Sequence, residues 1–342
     1  MLDTDPRQFS EPENFKYNHG SFSSVHINLN KSLKKLGYYS DYQLAKWVGI
    51  TDGLNLGSFN APNKKFIISP WEIFNTLTNF HIYSRESLNP DVVFGCSEAV
   101  SNLWRKAGYD CQTAYYGCDV EFWKPSKNKN EIFTFCITNS SNLRCAYDLI
   151  IPAFLLAFGT RKDVQLIIKD TNNIEKLILK IKEFQNLGMN LKYFSGRWPM
   201  QKIRDLYSES HVTINLQRGA GFGLTTLESM ACNSVCLTAD VAPANEIVDP
   251  TVAMMIEPLK PIGLNDYIFD SIEWGFLNCF GNFDYPEEPK IWDFDINTIA
   301  SSMENLKENY SYYENINSRD HVVKYWNWDL HARKLVNLLN NS

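Results

Sequence analysis

From about residue 131 onward, short apolar runs alternate with amphipathic stretches, and this rhythm restricts the fold more than any single residue does. Glu131–Thr138 has the character of a strand, Tyr147–Phe158 of a helix and Val164–Lys169 of a second strand. Ile174, Leu177, Ile178, Ile181 and Phe184 then recur at the spacing of one helical face. Leu191–Phe194, Met200–Tyr207, His211–Leu216 and Ser234–Thr238 continue the series. Strands joined through helices form a parallel sheet with helices on both faces, so the expected fold class is α/β. Ligands in such sheets bind beyond the carboxyl ends of the strands.

The 342 residues leave room for two domains of ordinary size. The first 125 alternate less cleanly. Phe15–Ser21 has the look of a short strand entering a loop, and the next helix carries Val25, Leu29, Leu33 and Leu36 on one side before Gly37. Lys65–Ser69 and Asp91–Cys96 are expected strands, and Ser97–Ala107 an expected helix with Ser97 as N-cap. Between Pro258 and Asp293 the rhythm breaks into an aromatic, acidic segment containing Tyr267, Trp274 and Phe276. It reads as an elaboration of the second domain. A flap over the core or a contact between two copies in a homo-oligomer is favoured there over an acceptor site. Trp326–Leu339 reads as a closing helix.

The charge balance, 33 basic against 39 acidic residues, gives no footprint for broad nucleic-acid binding. No apolar run is long enough to span a bilayer, and Met1–Asp5 lacks the basic and apolar regions of a signal peptide. A cytoplasmic chain is expected, with peripheral attachment at an inner membrane face left open. The eight cysteines lack metal-ligand spacing and read as small buried hydrophobes in a reducing compartment.

The string from Gly219 to Cys232 carries most of the chemistry. It follows a buried strand and opens a short helix with Gly221-Phe222-Gly223-Leu224-Thr225. Glycines at a helix mouth let a ligand approach the backbone, and the helix terminus favours an anion such as a phosphate. Glu228, one turn further in, can accept hydrogen bonds from sugar hydroxyls. Phosphate plus sugar points to a nucleotide-sugar donor.

Gly221-Phe222-Gly223-Leu224, Glu228, Met230-Ala231-Cys232 and Asn245-Glu246-Ile247-Val248 together resemble the donor half of the retaining glycosyltransferases of family 4. Gly117–Pro125 is similar to that family's interdomain signature, with Cys118 where valine is usual. The resemblance implies a GT-B fold: two Rossmann-like domains facing a central cleft, with the last helix crossing back to the first domain. It implies an acceptor-side domain at 1–125, completed by about 322–342, and a donor domain at 126–321 that carries the elaboration at about 258–293. It implies transfer from a UDP- or GDP-type sugar to a hydroxyl of a glycan, glycolipid or other acceptor, with retention. The incoming hydroxyl would approach on the face of the departing phosphate, whose oxygen takes its proton.

Charge grows on the leaving diphosphate in such a transfer and has to be stabilised. No Asp-x-Asp motif is read after a predicted strand, so neither a metal nor a cofactor is expected. Arg144 is the first cationic candidate; the resembling family has Arg-Lys-Gly at that point, and Cys145 stands where the lysine would be. Lys169, ending a strand, can supply the second charge. His19, beside Gly20 and Ser21 at a strand-to-helix turn, is a third candidate for catalysis, the latter two for donor contact. Trp71 and Glu72 resemble a pair that faces the acceptor. The family's sugar-contacting glutamate, eight positions before Glu228, is replaced by Ala220, and Arg218 nearby can reach a negatively charged sugar. Ala220 and Cys145 also keep open a catalytically silent binding subunit. A DNA-base glucosyltransferase and a sugar epimerase fit less well.

Overall fold

A computed structural model describes residues 2–3, 21–38, 46–50, 65–69, 71, 73–79, 81–82, 91–140, 142, 144–270, 272–276 and 284–341. The chain divides into two units. One is Met1–Asp119 with Phe283–Glu287 and Tyr325–Ser342; the other is Val120–Asn282 with Glu288–Lys324.

The first unit holds β1 (Leu2–Asp3), α1 (Ser21–Lys35), β2 (Lys46–Ile50), β3 (Lys65–Ser69), β4 (Val92–Gly95), α2 (Glu98–Lys106) and β5 (Cys111–Thr113). Its five described strands are parallel and lie in chain order. Val25, Leu29 and Leu33 are buried along one stripe of α1, which packs against the C-terminal helix Trp328–Asn341. Ser97 caps α2, its hydroxyl accepting the N–H of Val100 at 3.3 Å. β2 and β5 lie outside the expected elements; three residues are too few for a periodic signal.

Chain ends meet tightly in this unit. Cys118 pairs with Asn327, and the Cys118 N–H donates to the Trp326 carbonyl. A Cβ on Gly117 would sit 2.7 Å from the backbone N and Cα of Trp328. Only glycine admits that approach.

The second unit contains β6 (Phe133–Asn139), α3 (Tyr147–Phe158), β7 (Val164–Asp170), α4 (Glu175–Asn186), β8 (Leu191–Phe194), α5 (Met200–Glu209), β9 (Val212–Asn215), α6 (Leu224–Ala231), β10 (Val235–Ala239), α7 (Ala244–Ile247) and β11 (Met254–Ile256). The strands form one parallel sheet in the order β11-β10-β9-β6-β7-β8. Phe135, Ile137, Leu166, Ile168, Ile214 and Leu237 are fully or nearly fully buried, as a sheet covered on both faces requires. Arg319 donates to the carbonyls of Val120, Trp123 and Ala231, tying the unit's first residues to the end of α6.

The aromatic segment contributes β12 (Lys260–Gly263), α8 (Leu264–Asp270) and β13 (Lys290–Asp293), with β12 and β13 antiparallel. Trp274 is buried, its ring stacked 6.2 Å from Phe184 and 5.9 Å from Phe276. Trp274, Phe276 and Trp292 thus pack on the core of the second unit. Not all of the segment stays with the second unit: Phe283–Glu287 clusters with the first, where Asn79 donates to the Asp284 carbonyl at 2.9 Å and Lys106 pairs with Glu287. Helix α9 (Ile296–Glu308) then covers α3. The described cysteines, Cys96, Cys111 and Cys118 in one unit and Cys136, Cys145, Cys232 and Cys236 in the other, are buried and form no disulfide. No described helix is long and apolar enough to cross a membrane.

Gly117→Ala should destabilise the first unit by about 1–3 kcal/mol, the usual range for forcing a methyl into filled space. Denaturant unfolding of the two proteins measures it, and an unchanged midpoint would show that the backbones can separate at no cost.

Candidate functional site

The strand order places the site. From β6 the chain moves outward through β7 and β8, then returns to β9 on the other side of β6 and moves outward again through β10 and β11. The loops leaving β6 and β9 therefore diverge at their carboxyl ends and leave a crevice between them. Arg144 lies on one loop, and Gln217 to Gly223 on the other.

A polar network joins the two. Arg144 Nη1 donates to Gln217 Oε1 at 2.9 Å, and the Gln217 amide donates to Asn215 Oδ1 at 3.1 Å and Asn139 Oδ1 at 3.4 Å. Asn215 in turn donates to the Thr226 hydroxyl. Asn139 ends β6 and Asn215 ends β9, so both amides stand at the ligand edge of the sheet. The sequence reading missed these amides. The signal that would have found them is a polar residue closing an otherwise apolar strand.

Gly223 caps α6 with φ +111°, and a Cβ there would meet Ile247 Cδ1 at 3.0 Å. The positive φ is what calls for glycine here, since the Ile247 methyl could shift to admit a Cβ. The Thr226 N–H donates to the Gly223 carbonyl at 3.1 Å, and the positive end of the helix dipole lies at this terminus. Gly223 and Ala220 line a small, open recess with Asn215, Gln217, Phe222 and Thr226. The recess is bounded on its far side by residues 238–244. Leu224 and Thr225 are half-buried in the first turn, while Phe222 and Gly221 are buried.

Glu228 is not on the solvent face of its helix. It is half-buried, and desolvation pushes its carboxyl up to about 8. Among the described residues no hydrogen bond or ion pair engages that carboxylate. The buried Tyr207 hydroxyl is raised well above its usual range, first by burial and then by the Glu228 charge. A desolvated acid without a partner is costly in a folded protein and is characteristic of a binding site.

Lys169 is buried at the end of β7, donating to the Asp170 carbonyl at 2.9 Å. Desolvation lowers its pKa, partly offset by Asp170. Its ammonium is 5.7 Å from the Trp198 ring, on which Lys202 stacks at 3.7 Å. Trp198, another residue missed from sequence, adds an aromatic surface to this edge. No hydrogen bond among the described residues joins Lys169 to the Arg144 network.

Three expectations change. Arg218 does not face a ligand: it is buried and paired with Asp148 at 2.8 Å and Asp293 at 2.7 Å, its guanidinium 4.3 Å above the Tyr267 ring. Trp71 is core: its Nε1 donates to the Thr76 carbonyl at 2.8 Å and its ring meets His81 at 4.3 Å. Asp293-Phe294-Asp295 has the Asp-x-Asp spacing and does follow a strand, contrary to the sequence reading. Both carboxylates are engaged, Asp293 by Arg218 and Asp295 by the Thr298 N–H at 2.8 Å as the cap of α9. Cys145 is buried, its thiol donating to the Ser140 carbonyl at 3.0 Å. His19, Gly20 and Glu72 lie outside the described residues, and Ser21 is described only as the first residue of α1.

Residues 119–273 match the family model described as Glycosyl transferases group 1. No curated protein sequence matches the chain. Among solved structures, HepE from Anabaena in complex with UDP is similar at a TM-score of 0.63 and 13% identity, over 95% of this chain and 85% of that one. Sucrose-phosphate synthase from Thermosynechococcus elongatus is similar at 0.61 and 13%, over 97% and 81%. A TarM variant from S. aureus, in complex with Fondaparinux, alpha-GlcNAc-glycerol and UDP, is similar at 0.60 and 16%, over 92% and 59%. The fold is GT-B, and the family model matches a stretch that lies almost wholly in the second unit.

The Glu228 shift fixes a pH dependence. Its folded pKa of about 8 lies above the ordinary 4.5, so the folded state holds the proton more tightly. Stability linked to this group is full below about 4.5 and is lost as pH rises toward about 8. Glu228→Gln should therefore match the wild-type melting temperature near pH 5 and exceed it increasingly up to pH 8. Parallel melting curves across that range would refute the burial of a strained carboxylate at this position.

Proposed function

We propose that the chain transfers a sugar from a nucleoside-diphosphate sugar of UDP or GDP type to an acceptor hydroxyl, with retention, as the glycosyltransferases of family 4 do. One observation carries the reading: the half-buried carboxylate of Glu228, without a partner among the described residues, on the helix whose glycine-rich mouth lines the recess. Ribose hydroxyls would donate to Glu228 and favour its charged form. The diphosphate would lie against the α6 terminus, within reach of Arg144.

Arg144 is supported as the main cation of the leaving group because Gln217 holds its guanidinium at the crevice. Lys169 is supported as a second, more distant positive charge at the same edge. The departing phosphate oxygen then takes the proton of the incoming hydroxyl, so no protein base is assigned. Ala220, lining the recess where the family has glutamate, argues for a sugar other than the common hexoses. The acceptor is a glycan, glycolipid or other hydroxyl compound.

A thermal-shift titration with UDP, GDP and ADP, followed by donor hydrolysis with the matching sugars, tests the reading. Stabilisation by one nucleoside diphosphate and release of it from a sugar donor are expected. Stabilisation without turnover on any donor–acceptor pair would favour a silent binding subunit; no stabilisation by any nucleotide would overturn both.

Arg144→Ala should lower turnover by about a hundredfold while weakening nucleotide binding less, since charge develops on the diphosphate as the bond breaks. Steady-state kinetics with kcat and KM resolved separately measures this, and an effect confined to KM would assign Arg144 to ground-state binding alone. Turnover should also survive EDTA. Loss with chelator, restored by magnesium or manganese, would show that a metal shares the stabilising role of Arg144 and Lys169.

A further inference from the structure

We propose that Arg218 is a positioning residue of the donor site, acting through Arg144 rather than on the ligand; this rests on the reading of the site as a nucleotide-sugar pocket. Its backbone and side chain grip the same junction twice. The Arg218 N–H donates to the Arg144 carbonyl at 2.8 Å, and its guanidinium pairs with Asp148 in the first turn of α3. Residues 144–148 run from the cationic loop into that helix, and Ala146 between them holds a left-handed φ of +48°. The neighbouring Gln217 holds the Arg144 side chain. Two consecutive residues of the β9 loop thus fix the carbonyl, the side chain and the following helix of the β6 loop.

The other side of Arg218 is anchored in the aromatic segment. Its Nη1 donates to Asp293 and to the Trp292 carbonyl at 3.2 Å, and the Trp292 N–H donates back to the Arg218 carbonyl at 2.9 Å. Strand β13 is therefore the outer support of the donor loop. The β12–β13 elaboration holds Arg218, and Arg218 holds Arg144. Moving a charged group by an ångström at a reacting centre costs about a hundredfold, so the support bears on chemistry without touching substrate.

Calorimetry with UDP on the full chain separates positioning from stability. The variants are Arg218→Ala, the charge-free triple Arg218→Ala, Asp148→Asn and Asp293→Asn, and each of these in an Arg144→Ala background. The triple should recover most of the wild-type melting temperature, because no buried carboxylate is left uncompensated. Its UDP affinity should stay about tenfold or more below wild type. In the Arg144→Ala background the same changes should alter affinity by less than about twofold, as expected for residues acting through one another. Should Arg218→Ala or the triple not fold, Asp293→Asn alone is read in the same cycle and should show a smaller loss with the same non-additivity. Recovery of affinity together with melting temperature, or losses that multiply across the two backgrounds, would make Arg218 merely structural. Wild-type protein that binds neither UDP, GDP nor ADP would defeat the proposed function first, and this inference with it.

Discussion

A guanidinium taken out of water has to be neutralised where it sits, and the way Arg218 is neutralised organises the second unit. Burial works against its charge, and Asp148, Tyr267 and Asp293 more than offset that, leaving its pKa raised. Asp148 lies 70 residues before it and Asp293 75 residues after it. One cation thereby joins the first crossover helix, the loop after β9 and the antiparallel hairpin. Buried pairs of this kind add little net stability, because desolvation consumes most of the attraction. What they supply is a single arrangement, since every alternative leaves a charge unpaired in a dry interior.

That arrangement sets a contrast within a short stretch of chain. The charge of Arg218 is paired by protein through both terminal nitrogens, though its Nε has no partner, whereas Glu228, ten positions on, has no side-chain partner among the described residues and is pushed toward its neutral form. Buried polar groups are normally hydrogen-bonded. The difference between the two residues divides the loop–helix unit into a part paired by protein and a part whose carboxylate no described residue engages. The amides of Asn139, Asn215 and Gln217 lie between them, linking the crevice walls through neutral groups.

The alternation from residue 131 to 238 was legible because strands buried on both faces leave unbroken apolar runs, and the six-stranded sheet follows that reading nearly element by element. The glycine-rich helix mouth was legible too, since only certain residues tolerate φ +111°. Charge misled where burial decides. Nothing local to Arg218 betrays two carboxylate partners far along the chain, so it looked like a ligand contact. Trp71 looked like a cleft residue because of its neighbour, while its ring is spent on His81. The β12–β13 pairing went unread because 26 intervening residues hide a register that only the folded chain brings together.

The buried cysteines have a practical consequence. Burial raises Cys111 to about 11 and Cys232 and Cys236 to about 12, so at neutral pH these thiols are protonated and enclosed. Alkylating reagents attack thiolates, and the native fold offers them neither charge nor access at these sites. Labelling must wait for a local opening. Cys111 belongs to one unit and Cys232 and Cys236 to the other, so peptide-resolved alkylation rates would clock the breathing of each unit separately, with no mutation and no attached probe.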